Sequence, residues 1–409
     1  MIDLIGTLRR VALASVCTSV RGGYIDQIHA NTGASATGMA ITSTIHVSPD
    51  GDGSNGYTWA TAYQTIQDAL DNCPLDANEC TLILVAPHAT YYDINTTGDP
   101  TWACNVEIRG THRLWAVVRN THGTATSILK LTGKASIVGL AFVQTGTLNG
   151  VIFTKSGYRA RKCAFSSSGL TGAAISLHID GTAALILGGK VEDVEFNGHV
   201  TWTTAMYFDK ASTNDTINVH IHTALNGIQI VDATSTKNYF DHLGIGNCAI
   251  GLNIDAGAEQ HFVDINFHDN TLNIDDEVCD HIYDNLTGDF PITIYPDSLT
   301  GITLAADALA NVWGTNTSIR AAGVALKPFR VLGVIGQPVV AQLHHLRLSP
   351  DAGTTHFDQA SIESARGIAN PAPVGTGYIF NCSTPISASL KAFSAGSDEM
   401  QVWLKIQEI

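Results

Sequence analysis

Between about residues 135 and 285 the chain repeats one pattern of apolar and polar positions. A small turn motif, often with glycine, leads into a short apolar strand: LNGVIF at Leu148, LTGAAI at Leu170, TTAMYF at Thr203, LNGIQI at Leu225, IGLNI at Ile250 and LNIDD at Leu272. Taking Asn149, Thr171, Thr204, Asn226, Ile250 and Leu272 as equivalent gives spacings of 22, 33, 22, 24 and 22 residues, the long one holding an insertion within HIDGTAALILGGK. Each unit carries an earlier alternating run as well: VEDVEFN, INVHIHT, DHLGIGN and VDINFHD. Strict alternation is the signature of a strand with one buried face. It turns Val194 and Phe196, Val219 and Ile221, Leu243 and Ile245, and Ile265 and Phe267 inward. A unit this short cannot bury its apolar face alone, but stacked coils can. The leucine and asparagine pattern of leucine-rich repeats is missing, so the repeat predicts a parallel β-helix.

Upstream, Ile45–Leu70 (IHVSPDGDGSNGYTWATAYQTIQDAL) begins as a strand, breaks into a glycine-rich loop and closes as an amphipathic segment. Thr61 with Gln64 fits a capping box. Tyr63, Ile66, Leu70 and Cys73 recur at helical spacing, Pro74 stops the helix, and TLILVAP follows as a buried strand. In the loop, Asp50, Asp52 and Ser54 have the one-three-five spacing of a calcium loop. Position six is Asn55 rather than glycine and position twelve is Thr61 rather than glutamate, so the loop reads as a turn.

Residues 1–43 form a docking segment and linker, with a short helix expected in IDLIGTLRRVALASV. RRVALASVCTSVRGG slightly resembles a signal peptide, but its apolar run is broken by Ser, Cys and Thr, and it reads as part of the mature chain. The β-helix spans 44–300, a connector with a short helix in ITLAADALANVWG spans 301–323, and 324–409 alternates strands with turns, as in EMQVWLKIQEI, predicting an antiparallel β-sandwich. The fold class is therefore all-β: a solenoid with an N-terminal capping helix and a C-terminal sandwich.

Composition narrows the function. Charged residues make up 14% of the chain, below the usual ~25%, and the net charge of −15 argues against a nucleic-acid-binding surface, which needs a basic face. No run approaches the ~20 apolar residues of a membrane span. The eight cysteines show no CxxC pair or zinc spacing and read as buried small hydrophobes; a Cys73–Cys80 bridge has only proximity in its favour. No cofactor motif is present.

The VSPDGDGSNGYTWATAYQTIQDAL block, followed by LILVAPHATYYD, resembles the N-terminal cap and first coil of pectin lyase-like right-handed parallel β-helices, over roughly residues 44–290. His88-Ala89-Thr90 stands where many members carry a glycine. The resemblance implies that the capping helix covers the open sheet edge. It also implies that chemistry, if any, uses carboxylates on an outer face. Alternation places Asp193, Glu195, His220, His222, His242, Asp264 and His268 outward on the earlier strands, and Tyr207, Asp209, Gln229, Asn253, Asp255, Asp275 and Glu277 outward on the later ones. The bland account of this face is solvation. The sharp account is a glycan site in which two of Glu195, Asp209, Asp255, Asp264 and Asp275 act as general acid and base. Lyase chemistry wants a cationic base, and residues 191–290 offer only Lys210 and Lys237. His220, His222 and His268, or Asp50 and Asp52, are weak candidates for metal. Tyr207 is the one outward aromatic that alternation can place.

A docking segment, a capped solenoid and a C-terminal β-domain together resemble the layout of bacteriophage spikes and fibres. That resemblance implies a structural virion protein that self-associates, with a trimer as first choice, and engages other virion proteins through the N-terminal segment. Its C-terminal domain would then serve oligomerisation or host-surface binding. The alternative is a polysaccharide-degrading enzyme, free or as a spike depolymerase. A surface adhesin would carry a clear secretion signal.

Overall fold

The computed structural model describes residues 38–94, 101–170, 174–198, 202–278, 281–288, 290, 292–295, 302–306, 313–320, 329–338, 342–350, 358–364, 370–373, 379–380, 386–392 and 399–408. The helix expected near the N-terminus lies outside them. The chain divides into two compact units, Met1–Ala224 and Leu225–Ile409.

In the first unit each coil contributes strands to three parallel ladders, and each ladder carries inward columns of like residues. The first column runs Ile45, Ile83, Ile108, Ile137, Ala160, Val191 and Thr216 through in-register strand pairs. The second runs Val118, Phe142, Phe165, Phe196 and Ile221. In the third, Leu129, Val151, Leu177 and Met206 stand beside Leu131, Phe153, Ile179 and Phe208. All of these residues are buried. Like residues stack because parallel register places equivalent positions directly over one another. The Phe142, Phe165 and Phe196 rings are stacked with centroids 5.1 and 4.9 Å apart.

The second unit, taken by itself, opens with parallel coils of the same kind and then changes. Tyr239–Ile254 pairs in parallel with His261–His268 and with Leu272–Asp276, matching Phe240 to Phe262, Ile245 to Phe267 and Leu252 to Ile274. Phe240, Phe262 and Tyr283 stack at 4.9 and 5.2 Å. Beyond this the strands are antiparallel. Ile292–Tyr295, Ile302–Ala305 and Phe329–Pro338 all pair with Glu399–Glu408. Thr317–Arg320, Ile386–Ala392, Gln342–Ser349 and Asp358–Ser364 form a second antiparallel sheet. Leu304, Phe329, Val334, Leu346, Leu390 and Leu404, drawn from both sheets, share one buried cluster. The start of ITLAADALANVWG is thus a strand and not the expected helix, because alternation in Ile302–Ala305 matches the free edge of the last strand.

The corners between ladders are held by residues in the left-handed region. Gly139, Lys162, Asp193 and Asn218 occupy one such column in the first unit, and His242, Asp264 and Asn285 hold the same step of their coils in the second. A non-glycine residue there costs about 1 kcal/mol, least for Asn and Asp, and the polar side chains offset it by bonding along the column. Asn218 Nδ2 donates to Asp193 Oδ1 at 2.5 Å, and Asn285 Nδ2 donates to Asp264 Oδ1.

The cap differs from its sequence reading. The helix is only Ile66–Asp71, and Thr65 caps it: its Oγ1 accepts from Asp68 N at 3.0 Å and donates to Asp68 Oδ2 at 2.6 Å. Thr61 and Gln64 are used elsewhere, with Thr61 Oγ1 accepting from Thr58 N and Gln64 Nε2 donating to Gly51 O. Tyr63 lies against the first strand as a bridge to Val47. A Cβ on Gly51 would sit 2.2 Å from Ala62 O, so only glycine lets the loop close here. Ile66, Ala69 and Leu70 are buried by the helix, and Asp71 Oδ1 accepts from Trp102 Nε1 at 2.8 Å. Cys73, Cys80, Cys104, Cys163 and Cys248 are buried and form no disulfide, so Cys73 and Cys80 are not bridged; Cys73 Sγ donates to Ala69 O at 3.3 Å.

Candidate functional site

The ladders decide which side chains meet outside the coils. In the first unit the register pairs His178 with Tyr207 and Asp180 with Asp209 on neighbouring coils. Lys130 precedes His178 in the same column, separated by Ile152. His178, Asp180 and Asp209 each offer a ligand atom, and these atoms lie within 4.8 Å of one another. The His178 ring meets the Tyr207 ring edge-on at 4.9 Å. His178 Nε2 is buried without a hydrogen-bond partner. Burial pushes this imidazole down to about 4, with Lys130 adding to the effect and Asp180 opposing it, so the ring is neutral at pH 7. Burial also pushes the Asp180 carboxyl up. Two hydrogen bonds from Thr182, at 3.1 Å from its N and 2.6 Å from its Oγ1, outweigh that with help from His178 and Lys130, leaving Asp180 below its ordinary value and ionised.

Sequence reasoning placed Tyr207 and Asp209 here but missed His178 and Asp180, for one reason. It set Thr171 equivalent to Asn149, whereas the register aligns Val151 with Leu177, which makes Ile175 the partner of Asn149; Asn149 Oδ1 accepts from Ile175 N at 2.9 Å. With the frame moved four residues, His178 and Asp180 fall where Tyr207 and Asp209 stand one coil later. The His-Ile-Asp and Tyr-Phe-Asp tripeptides were the available signal.

In the second unit Asp241, His242 and Asp264 also gather. Both ring nitrogens of His242 are occupied by carboxylates, Nδ1 at 2.6 Å from Asp241 and Nε2 at 3.5 Å from Asp264. His242 is exposed and belongs to the left-handed corner column. This is a polar ladder along a corner, with an exposed histidine between two carboxylates. Further along, Gln229 Nε2 donates to Asp255 Oδ2 at 2.8 Å, and Asp275 lies in register with Asn253. Asp255 is therefore tied to an amide, and Asp275 has an amide as its cross-strand neighbour.

The remaining predicted positions are dispersed. Glu195 is exposed, in register with His220, and accepts from Asn197. His222 pairs in register with Asn197, and His268 with Gly246. Asp52 Oδ1 accepts from Ser54 N at 2.9 Å, an Asx turn, and Asp50 N donates to Ser48 Oγ. None of these belongs to a three-residue ligand group among the described residues.

Alternation also missed exposed aromatics on the first coils. Trp115 is 68% and Tyr91 40% exposed, and the Arg119 guanidinium lies 4.3 Å over the Tyr91 ring. Arg119 Nε donates to Asp93 Oδ2 at 3.2 Å. The short strands here, Tyr92–Asp93 and Ala116–Arg119, alternate too briefly for a sequence pattern to place their flanks.

No protein-family profile and no curated protein sequence matches the chain. Solved structures similar to it include the tailspike protein of Acinetobacter phage vB_ApiP_P1, at 11% identity over 80% of this chain and 82% of that one, with a TM-score of 0.32. ORF18 of Geobacillus virus E2 is similar at 10% identity over 77% and 74%, with a TM-score of 0.31. Pantoea stewartii WceF, described as a glycan biofilm modifying enzyme with a bacteriophage tailspike-like parallel β-helix fold, is similar at 11% identity over 80% and 56%, with a TM-score of 0.27.

Proposed function

We propose that the protein is a structural subunit of a bacteriophage virion appendage of the spike or fibre type, with its stacked coils as the rigid body and its paired C-terminal sheets as a β-sandwich used for self-association or contact with the host surface. The observation that carries this reading is the in-register stacking of inward columns, nearly all apolar, from coil to coil within each unit. Such a stack resists local opening because each coil is held by both neighbours. The corner columns of bonded polar residues serve the same rigidity. Trp115 and Tyr91, with the Arg119–Asp93 pair beside them, offer a surface on which a host glycan would stack. A homotrimer is the expected assembly by analogy with the layout of spikes and fibres, closed rotational symmetry being the usual solution for self-associating subunits.

A second reading, hydrolysis of a surface polysaccharide, is favoured by one observation: Asp180 and Asp209 face each other with oxygens within 4.8 Å, near the ~5 Å separation of carboxylates in retaining glycosidases. Light scattering on the full chain at micromolar concentration tests the first reading. A stable trimer is expected. A monomer sinks the appendage reading and moves the weight to the hydrolase, to be pursued through Asp180→Asn and Asp209→Asn on capsular polysaccharides.

A further inference from the structure

We infer that His178, Asp180 and Asp209 bind a divalent first-row transition metal ion, of which Zn²⁺ is the archetype, on the outer face of the first unit. This goes beyond the appendage reading and does not depend on it. Three features of the site carry the inference. The three side chains come from adjacent strands locked in register, Ala174–Asp180 and Trp202–Asp209, so their convergence is imposed by the ladder and not by a loose loop. One imidazole and two carboxylates form a mixed nitrogen–oxygen set, which suits Zn²⁺, Mn²⁺ or Co²⁺ better than the all-oxygen shells of Ca²⁺ and Mg²⁺.

The third feature is an unpartnered ring nitrogen on the histidine of the group. His178 Nε2 is buried and has no hydrogen-bond partner, a state that costs free energy unless something accepts its lone pair or its proton. Asp180 is oriented to ligate. Thr182 donates twice to its Oδ1, the kind of outer hydrogen bonding that fixes a metal-bound carboxylate. Lys130, two coils back in the same column, acts on both His178 and Asp180 and opposes a cation, so the site must bind its ion against that charge. The Asp241–His242–Asp264 group is the natural control, since both of its ring nitrogens already meet carboxylates. Three protein ligands leave coordination positions open to water or a substrate oxygen. A metal here makes Asp180 and Asp209 ligands rather than an acid–base pair, so it competes with the hydrolase reading and leaves the appendage reading untouched.

The test is calorimetric titration of the full chain, treated with chelator and dialysed, using ZnCl₂ and then CaCl₂. One equivalent of Zn²⁺ per chain is expected, weakened at least tenfold by His178→Gln and by Asp209→Asn and unchanged by His242→Ala, with Ca²⁺ failing to displace it at equal concentration. Absence of saturable binding overturns the inference. So does binding that survives both site variants, binding that is lost in His242→Ala, or a preference for Ca²⁺. Circular dichroism verifies that the variants fold. Electron spin echo on the Mn²⁺-loaded wild-type chain needs no variant: modulation from a single imidazole nitrogen is expected, and none, or more than one imidazole, refutes the assignment. A trimer that binds no metal would retain the appendage reading and reject only this one.

Discussion

The Phe142–Phe165–Phe196 stack provides a quantitative test of the solenoid. Phe165 is fully buried and lies between the other two rings at 5.1 and 4.9 Å. Phe165→Ala removes the whole side chain and is expected to cost about 3–5 kcal/mol. Phe165→Leu keeps most of the buried area and forfeits two ring–ring terms of about 0.5–1.5 kcal/mol each, so it is expected to cost about 1–3 kcal/mol. The decisive quantity is the coupling between positions. In a solenoid each coil touches only its neighbours, so double-mutant cycles with leucine should couple Phe142 to Phe165, and Phe165 to Phe196, by about 0.5–1.5 kcal/mol. The Phe142–Phe196 cycle, which skips a coil, should couple by less than about 0.5 kcal/mol. Urea unfolding followed by circular dichroism supplies the free energies where it is reversible; otherwise unfolding rates in guanidinium give the same comparison as activation energies. If the skipped pair couples as strongly as the adjacent pairs, the nearest-neighbour picture is wrong.

Other outcomes follow from single features. A Cβ on Gly189 would lie 1.9 Å from the buried Tyr158 ring, so Gly189→Ala should cost about 1–3 kcal/mol or more, and Tyr158→Leu in the same chain should recover part of it; an unchanged midpoint would show the ring to be free to move. With a chelator present, stability should fall as pH drops from about 6.5 toward 4. In that window the unfolded His178 takes a proton that the folded one, desolvated and facing Lys130, Asp180, Asp209 and Tyr207, refuses down to about 4. The loss should be about 2–3 kcal/mol and should flatten in His178→Gln, as read from urea midpoints across pH; an unaltered pH profile in the variant would contradict it. Burial pushes the Cys163 thiol up to about 12, so iodoacetamide at pH 8 should leave it unmodified until the chain unfolds, as mapped by peptide mass spectrometry. Native-state alkylation of Cys163 would place that thiol outside the core.

The inward residues of the coils were readable from sequence because alternation is a local property: Val194, Phe196, Val219, Ile221, Leu243, Ile245, Ile265 and Phe267 are all buried. Frame is not local. LTG at Leu170 imitates LNG at Leu148, and nothing within a single coil says that Ile175 rather than Thr171 pairs with Asn149. Only the ladder resolves that choice, and with it the His178–Asp180–Asp209 group. The cap failed for another reason. Thr61 and Gln64 have the right chemistry to cap a helix, but the loop ending at Tyr63 needs both side chains to close on Thr58 and Gly51, which hands the task to Thr65. Ile302–Ala305 looked helical in isolation because its partner strand lies a hundred residues away, in Glu399–Glu408.

The left-handed corners also divide labour between frame and decoration. Coil phase is set at Gly139, Lys162, Asp193 and Asn218, whatever length of chain runs elsewhere in the turn. Between Asp180 and Lys190 the chain makes an excursion whose residues 182–185 are all exposed, and the small parallel pair of Ile186–Leu187 with Ala211–Ser212 closes it before the next corner. Foreign peptides grafted at that excursion should therefore be carried on the outside while the columns beneath keep their alignment. The molecule can be used as a display scaffold whose cargo changes without its coils being rebuilt.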